Sequence, residues 1–410
     1  MTAERAKGAH IVMLVRNTYT HDTRVEKEAA TLAGAGHRVT VVADAGPGLA
    51  SRESRDGIDV RRVPRPATLP GLRFVLGEAR LARELVRLRP DVLHAHDSNA
   101  LVPVAVAAAV RRVPYVYDAH ELWLHRPRRG RSPLYEALFG AWYRVVQRLT
   151  VPRSAAQITV SAPIAEHLGR QYGLSDVRLV PNYPEPTADI GPRSIRDLAP
   201  DRLPAGVPIV LHLGGVMEAR GLEELVDAVA VCAPAHLVLL GSGSHWPTIA
   251  ARADRAGMGD RIHLLGPVPS SEVVAYAASA TIGVQATVPI GLNNRYSLPN
   301  KLFQYMAAGI PVIASDFPQI REILVDAGCG IPVDTTRPSA IAAAIRRLLE
   351  APDEARAMGR RGRSAVADRY GWRHAASTLL EVYAGLIGPG APDEMPTHEA
   401  LPARHNGPPP

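Results

Sequence analysis

Short apolar runs alternate with amphipathic stretches of helical length along almost the whole chain, and no other feature narrows the possible folds as much. In the first half, His10 to Val15 reads as a buried strand. Thr23 and Glu26 stand at capping-box spacing ahead of a helix predicted from Arg24 to Gly36, and Val39 to Ala43 is the next strand. A helix from Phe74 to Leu88 precedes a strand from Asp91 to Ala95, and the alanine-rich stretch Leu101 to Val110 reads as helix. Strands at Tyr115 to Asp118, Gln157 to Ser161 and Val177 to Val180 complete this half. Strands separated by helices predict a parallel, doubly wound α/β sheet.

The rhythm stops between Pro181 and Pro208, where seven prolines stand among polar residues, and then restarts. Ile209 to Leu213, Leu237 to Leu240, Ile262 to Leu265, Ile282 to Gln285, Val312 to Ala314 and Gly330 to Val333 read as strands. Helices are expected at Pro338 to Leu349, Asp353 to Ala367 and Trp372 to Leu386. The expected organisation is two Rossmann-like domains, 1–187 and 208–369, joined by a linker at 188–207. A helix at 370–387 crosses back to the first domain, and 388–410, rich in Pro and Gly, reads as a disordered tail. Ligands of such sheets bind outside the carboxyl ends of the strands, which places the expected site in a cleft between the domains.

Composition removes several alternatives. The longest apolar run, Leu101 to Val110, is far short of the roughly 20 residues that a membrane span needs. The polar start, Met1 to His10, carries no signal-peptide core, and the reading is a cytoplasmic protein. Two cysteines, Cys232 and Cys329, build neither a disulfide framework nor a multi-cysteine metal site. The net charge of +7 points to no nucleic acid, because the 47 basic residues include only Lys7, Lys27 and Lys301 as lysine. An arginine and alanine bias of that kind reads as a GC-rich genome. The loop Arg16 to Arg24 contains no glycine, so no G-x-G-x-x-G follows the first strand, and no G-x-x-x-x-G-K-[ST] occurs. NAD oxidoreductases and P-loop nucleotidases are thereby disfavoured.

The stretch Ser297-Leu-Pro-Asn-Lys-Leu-Phe-Gln-Tyr-Met-Ala-Ala-Gly-Ile-Pro-Val-Ile-Ala-Ser315 runs from a loop through a short helix into a buried strand. Pro299 suits a helix start, and the amides there favour a diphosphate. A lysine in a first turn opposes the helix dipole by about 0.3–1 kcal/mol, so Lys301 makes sense if an anion binds.

Together with Arg220-Gly221-Leu-Glu-Glu-Leu, Leu240-Gly-Ser-Gly243 and Phe317-Pro-Gln-Ile-Arg-Glu322, this stretch resembles the donor site of glycosyltransferase family 4. Those are retaining GT-B enzymes that use sugar nucleotides. Asp22-Thr-Arg-Val, His94-Ala-His-Asp97, Tyr117-Asp-Ala-His-Glu121 and Val180-Pro-Asn182 are similar to a subgroup of that family, and the likeness extends from about residue 10 to 386. The family signature of two glutamates eight positions apart is replaced here by Tyr296 and Gln304, and a basic residue common in the family is replaced by Gly215. Gln304 keeps hydrogen bonding without the charge-assisted strength of a carboxylate.

The resemblance implies a phosphate clamp of Arg220 and Lys301, with His120 hydrogen-bonding the transferred sugar or its acceptor. Gly215, Gly241, Gly243, Val268, Ser297, Leu298, Pro299, Asn300, Gln304 and Glu322 are the expected donor-binding positions, and Asn17, Asp22, Arg24 and His96 the expected acceptor-binding ones. Each has a plainer reading. Gly241 and Gly243 serve any tight turn, Phe317 and Glu322 can pack and cap their helix, Glu121 can cap the helix after it, and Asp22 and Arg24 can pair with each other. His96 packs a loop or enters the cleft. The implied reaction moves a sugar from a nucleoside diphosphate sugar, UDP first and GDP next, to an acceptor hydroxyl of a glycan, lipid or small molecule. No metal or other cofactor is implied, and no Asp-x-Asp motif is present. An impaired paralogue serving as an auxiliary partner, and an epimerase on the same architecture, are the alternatives. Arg126, Arg128, Arg129 and Arg131, followed by Tyr135, Phe139, Trp142 and Tyr143, read either as a solvated loop or as peripheral membrane contact through 123–143.

Overall fold

The computed structural model describes residues 8–67, 70–126, 132–185, 191 and 193–388. The segment predicted as a tail beyond 388, three of the four clustered arginines (Arg128, Arg129, Arg131) and part of the predicted linker lie outside the described residues.

In chain order the first elements are β1 His10–Leu14, α1 Thr23–Gly34, β2 Arg38–Asp44, β3 Arg52–Arg55, β4 Ile58–Val63, α2 Pro70–Arg87, β5 Val92–His96, α3 Leu101–Arg111, β6 Tyr115–Ala119, α4 Pro133–Thr150, β7 Ala156–Thr159, α5 Ala162–Tyr172 and β8 Val177–Leu179. They are followed by β9 Ile209–Leu213, α6 Leu222–Ala230, β10 His236–Leu240, α7 Trp246–Arg255, β11 Ile262–Leu264, α8 Val273–Ala277, β12 Ile282–Gln285, α9 Gly291–Tyr296 and α10 Asn300–Ala308. The chain closes with β13 Val312–Ser315, α11 Pro318–Ala327, β14 Gly330–Val333, α12 Pro338–Glu350, α13 Pro352–Asp368 and α14 Trp372–Ile387. By contact the chain divides into two compact units, one holding the residues up to Val116 with those from Leu379 on, the other Tyr117–Thr378.

The first sheet has the order β3-β4-β2-β1-β5-β6-β7-β8 and the second β11-β10-β9-β12-β13-β14. The second is parallel throughout its paired strands, as expected. The first is mixed, because β3 runs antiparallel to β4. This hairpin departs from the parallel expectation for a local reason. Asp56 and Gly57 both take left-handed backbone, φ 51° and 80°, which is the geometry of a two-residue hairpin turn.

Along β9 the side chains alternate between two cores: Ile209, Leu211 and Leu213 join one, and Val210 the other. Burial on both faces is why these strands read as continuous apolar runs. The proline-rich stretch contributes to the first of these cores, since Ile195 and Leu203 are buried in it. Helix α1 begins one residue earlier than expected, because Asp22 rather than Thr23 caps it, accepting from Val25 N at 3.3 Å. Tyr383 of α14 bonds His94 of β5 at 2.7 Å.

Candidate functional site

The second sheet grows outward from β9 through β10 to β11 and then restarts on its other side with β12, so the strand order reverses between β9 and β12. A doubly wound sheet binds ligands at that reversal. The loops leaving the two strands are tied together there. Val288 N donates to Ala219 O at 3.3 Å. A Cβ on Gly221, whose φ is 65°, would stand 1.8 Å from Ala286 O, so glycine is required.

Helix α10 points its start at the same region. Pro299 occupies the cap position without a side-chain hydrogen bond, Asn300 and Lys301 form the first turn, and Gly309 at φ 74° ends the helix. Lys301 Nζ lies 3.2 Å from His212 Nε2 on β9. Burial, and then the nearby Arg220 guanidinium, pull the Lys301 amine down to about 7. Burial pushes His212 well below its ordinary value, helped by Lys301 and Arg220 and opposed by the Gly215 backbone. Among the described residues, neither Arg220 nor Lys301 pairs with a carboxylate. Lys301 thus stands in the first turn of a helix, where the free amides favour negative charge, with the exposed Arg220 near enough to act on its amine, an arrangement suited to an anion.

The remaining donor-site candidates divide by what holds them. A Cβ on Gly241 would stand 2.0 Å from Gly214 O, and one on Gly243 1.9 Å from Val216 O. Both glycines therefore answer to the neighbouring loop backbone, whereas a Cβ on Gly215 would meet only the Met217 side chain, at 3.3 Å. Ser297 Oγ donates to Asn294 O at 2.8 Å, Leu298 is buried, and Val268 packs against the same core. Gln304 is half-buried on α10, three residues after Lys301. Glu322 is exposed in the second turn of α11, and Phe317 is buried ahead of that helix. Tyr296 accepts through its carbonyl from Ser161 Oγ at 2.8 Å, and its ring meets His167 edge-on.

After β6, His120 Nε2 is 2.8 Å from Asp118 Oδ2, which fixes the ring. Glu121 is not a helix cap. It accepts from Asn293 Nδ2 at 3.1 Å and pairs with Arg126, which lies over the Trp123 ring. Asn293, which the sequence reading missed, also accepts from Leu122 N at 2.8 Å and so clamps this loop to α9.

In the first unit the acceptor candidates are engaged with their own surroundings. Asp22 caps α1 and takes Asn17 Nδ2 at 2.8 Å, while Arg24 is buried and pairs instead with Glu28 at 3.0 Å. His96 ends β5 rather than following it, and it is buried and stacked on His94 with ring centroids 4.2 Å apart. Glu28, His94 and His96 bring ligand-type atoms within 4.8 Å of one another. The two rings lie only 21° from parallel, so their in-plane lone pairs do not converge on one ion, and the Arg24 charge on Glu28 opposes a second cation. The cluster is a buried polar network. Asp97, which follows it, holds φ 63° and ψ 170°, a conformation that costs a non-glycine residue about 1–3 kcal/mol.

Comparison with known proteins gives two family matches. Residues 22–183 match Glycosyltransferase Family 4, and residues 207–351 match Glycosyl transferases group 1. The alpha-maltose-1-phosphate synthase of Mycolicibacterium smegmatis is 29% identical over 319 residues, covering 71% of this chain and 78% of that protein. The 2-deoxystreptamine glucosyltransferase of Streptomyces kanamyceticus is 25% identical over 392 residues, covering 89% and 98%. Among solved structures, HepE of Anabaena in complex with UDP-glucose superposes with a TM-score of 0.72 at 16% identity, covering 92% of this chain and all 100% of that one.

Proposed function

The chain belongs to glycosyltransferase family 4, with the GT-B fold, and from that premise we propose that it moves a hexosyl unit from a nucleoside diphosphate sugar to an acceptor hydroxyl with retention of configuration. UDP-sugar is the favoured donor and GDP-sugar the next. The observation that carries this reading is Lys301 in the first turn of α10 with Arg220 acting on it from the loop after β9, neither paired with an acid among the described residues. The UDP-glucose complex of HepE, a fold neighbour, supports the choice of nucleotide.

In this reading residues 208–369 hold the donor, and 1–187 with the helix 370–387 hold the acceptor, a glycan, lipid or small molecule. The bond between C1 of the sugar and the diphosphate oxygen breaks, and C1 bonds to the acceptor oxygen on the same face. The acceptor's proton passes to the departing diphosphate. Arg220, Lys301 and the amides at Asn300 stabilise the charge that develops there, which is the service a divalent cation would otherwise supply, so the reaction needs no metal. His120, oriented by Asp118, hydrogen-bonds the sugar or acceptor.

Calorimetric titration with UDP, GDP, ADP and dTDP and their sugar conjugates tests this on wild type and Lys301→Ala. Selective binding of UDP, abolished by the substitution, is expected. If no nucleotide binds, Tyr296 and Gln304 have cost the site its donor, and the auxiliary-partner reading replaces this one.

Peripheral membrane contact is proposed from α4. Leu134, Leu138, Trp142, Val145 and Leu149 fall at helical spacing on one stripe and are 44–70% exposed, with Arg144 and Arg148 exposed on the same helix. An apolar stripe with an aromatic and flanking cations fits an anionic lipid surface. Among the described residues no helix is long and apolar enough to cross a membrane. Co-sedimentation with anionic vesicles, lost in Leu138→Glu/Trp142→Glu and absent with neutral vesicles, is the expected result. Equal behaviour of wild type and variant would remove the membrane from the scheme.

A further inference from the structure

We propose that His212 is the positioning residue of the anion site: its neutral imidazole accepts a hydrogen bond from Lys301 and aims the ammonium at the ligand without cancelling its charge. This rests on the donor reading above for the identity of the ligand, but not for the existence of the pair.

The fold builds the pair from both sides. His212 is the fourth residue of β9, fully buried between Leu211 and Leu213, where an apolar residue would satisfy the strand pattern. Its Nε2 lies 3.2 Å from Lys301 Nζ. Helix α10 is fastened to the same strand one turn further on. The Tyr305 hydroxyl accepts from Leu213 N at 2.9 Å and lies 3.1 Å from the carbonyls of both Leu211 and Val284, to one of which it donates. Its ring occupies the space over Gly283, where a Cβ would stand 2.3 Å away. Lys301 and Tyr305 are an i,i+4 pair on one face of α10. The distance from lysine to histidine is thus imposed by the helix and strand rather than by a long, mobile side chain.

The chemistry of the acceptor follows. A carboxylate at 212 would neutralise Lys301 and compete with an incoming diphosphate, and an apolar side chain would leave the amine without an acceptor. A neutral imidazole accepts one N–H and adds no negative charge to offset the ammonium that the ligand meets. Neutrality is secured by what faces the ring, which is Lys301 from α10 and Arg220 from the loop after β9, in a buried setting. Acceptance at Nε2 places the ring proton on Nδ1.

Because the chain has only three lysines, Lys7, Lys27 and Lys301, the amine can be watched directly. The full chain labelled with 13Cε-lysine is titrated by NMR without ligand, with the Lys301 signal assigned by its loss in Lys301→Arg. In His212→Phe the midpoint of Lys301 is expected to fall, because a neutral acceptor favours the ammonium. In His212→Gln, whose Oε1 can take the place of Nε2, it is expected to return towards wild type. UDP affinity at neutral pH falls about tenfold in His212→Phe and recovers in His212→Gln, with donor KM changing more than kcat. The wild-type protein gives an independent check that needs no substitution to fold. Long-range 15N–1H spectra should show His212 neutral with its proton on Nδ1. A proton on Nε2, or an unchanged Lys301 titration in His212→Phe, overturns the assignment. If UDP fails to bind wild type while the titration behaves as stated, the donor reading fails and the positioning role stands.

Discussion

The first β-to-α loops of the two sheets treat charge in opposite ways. After β1, Arg16 meets Glu78 at 2.6 Å, the Asn99 carbonyl at 3.0 Å and Asp44 at 3.6 Å, and in α1 Arg24 meets Glu28 at 3.0 Å. Each cation has an acid, and the network closes on itself. After β9, Arg220 acts on Lys301 with, among the described residues, no carboxylate paired to either, and the lysine opposes its own helix dipole. In this second arrangement a desolvated amine without an acid raises the energy of the folded chain, a cost that the proposed diphosphate would offset. The first spends its polar groups on holding the fold.

Deletions of charge should therefore have opposite signatures in the two places. Lys301→Ala is expected to lower turnover about 10²–10³-fold, the cost of losing a preorganised cation at developing phosphate charge. It should leave the melting temperature unchanged or raise it, since a desolvated amine is removed. Glu28→Ala removes the buried carboxylate that meets Arg24 at 3.0 Å, which destabilises by about 3–5 kcal/mol. Denaturant unfolding of both variants, beside a kinetic assay, checks the contrast. A clear loss of stability in Lys301→Ala, or an unchanged Glu28→Ala, would break the comparison.

The uncompensated site should also take up a proton when it is filled. The Lys301 amine is held at about 7 in the empty site, and its ordinary value is 10.5. A bound diphosphate favours the charged form and moves the value upward. Between these limits the bound state holds more protons than the free state, so affinity rises as pH falls from 10 towards 7 and levels off below it. Calorimetry of UDP-glucose, whose capped diphosphate carries no proton titrating in this range, near pH 8.5 in buffers of different ionisation enthalpy should register uptake of most of one proton, reduced to nearly none at pH 6. Equal heats in all buffers would mean that the amine is already charged before binding.

How much of this was legible in the sequence depends on the range of the interaction concerned. The strands β9 and β12 read at their observed bounds because burial on both faces makes an apolar run with turns at its ends. The half-buried edge strand β14 was bounded by the glycine that starts it and the polar Asp334 after it. The hairpin β3–β4 was missed because β3 is a short polar edge strand and β4 alternates apolar with charged residues rather than forming an apolar run, although Asp56-Gly57 was a readable turn signal. Lys301 stood out because lysine is scarce and a helix start is a poor place for one. His212 and Asn293 carry no local signal. Their partners lie 89 and 171 residues away in sequence, so only the fold assigns them a role.

The smallest expected effect concerns backbone rather than charge. Both loops hold a non-glycine residue in left-handed conformation, Tyr19 at φ 53° in the first and Ala219 at φ 64° in the second. Tyr19 is buried and its side chain helps to hold the turn, whereas Ala219 contributes little beyond its backbone beside Arg220. Left-handed backbone costs an L-residue about 1–2 kcal/mol, and glycine removes that cost while adding about 0.4–1 kcal/mol of unfolded-state entropy. Ala219→Gly should therefore stabilise by at most about 1.5 kcal/mol while loosening the segment that presents Arg220, so UDP binds a few-fold more weakly. Stability and affinity moving in opposite directions, on a residue without a charge of its own, would mean that strain in this loop is kept for the anion. If both improve together, the loop is merely a turn, and the contrast between the two sheets is one of charge alone.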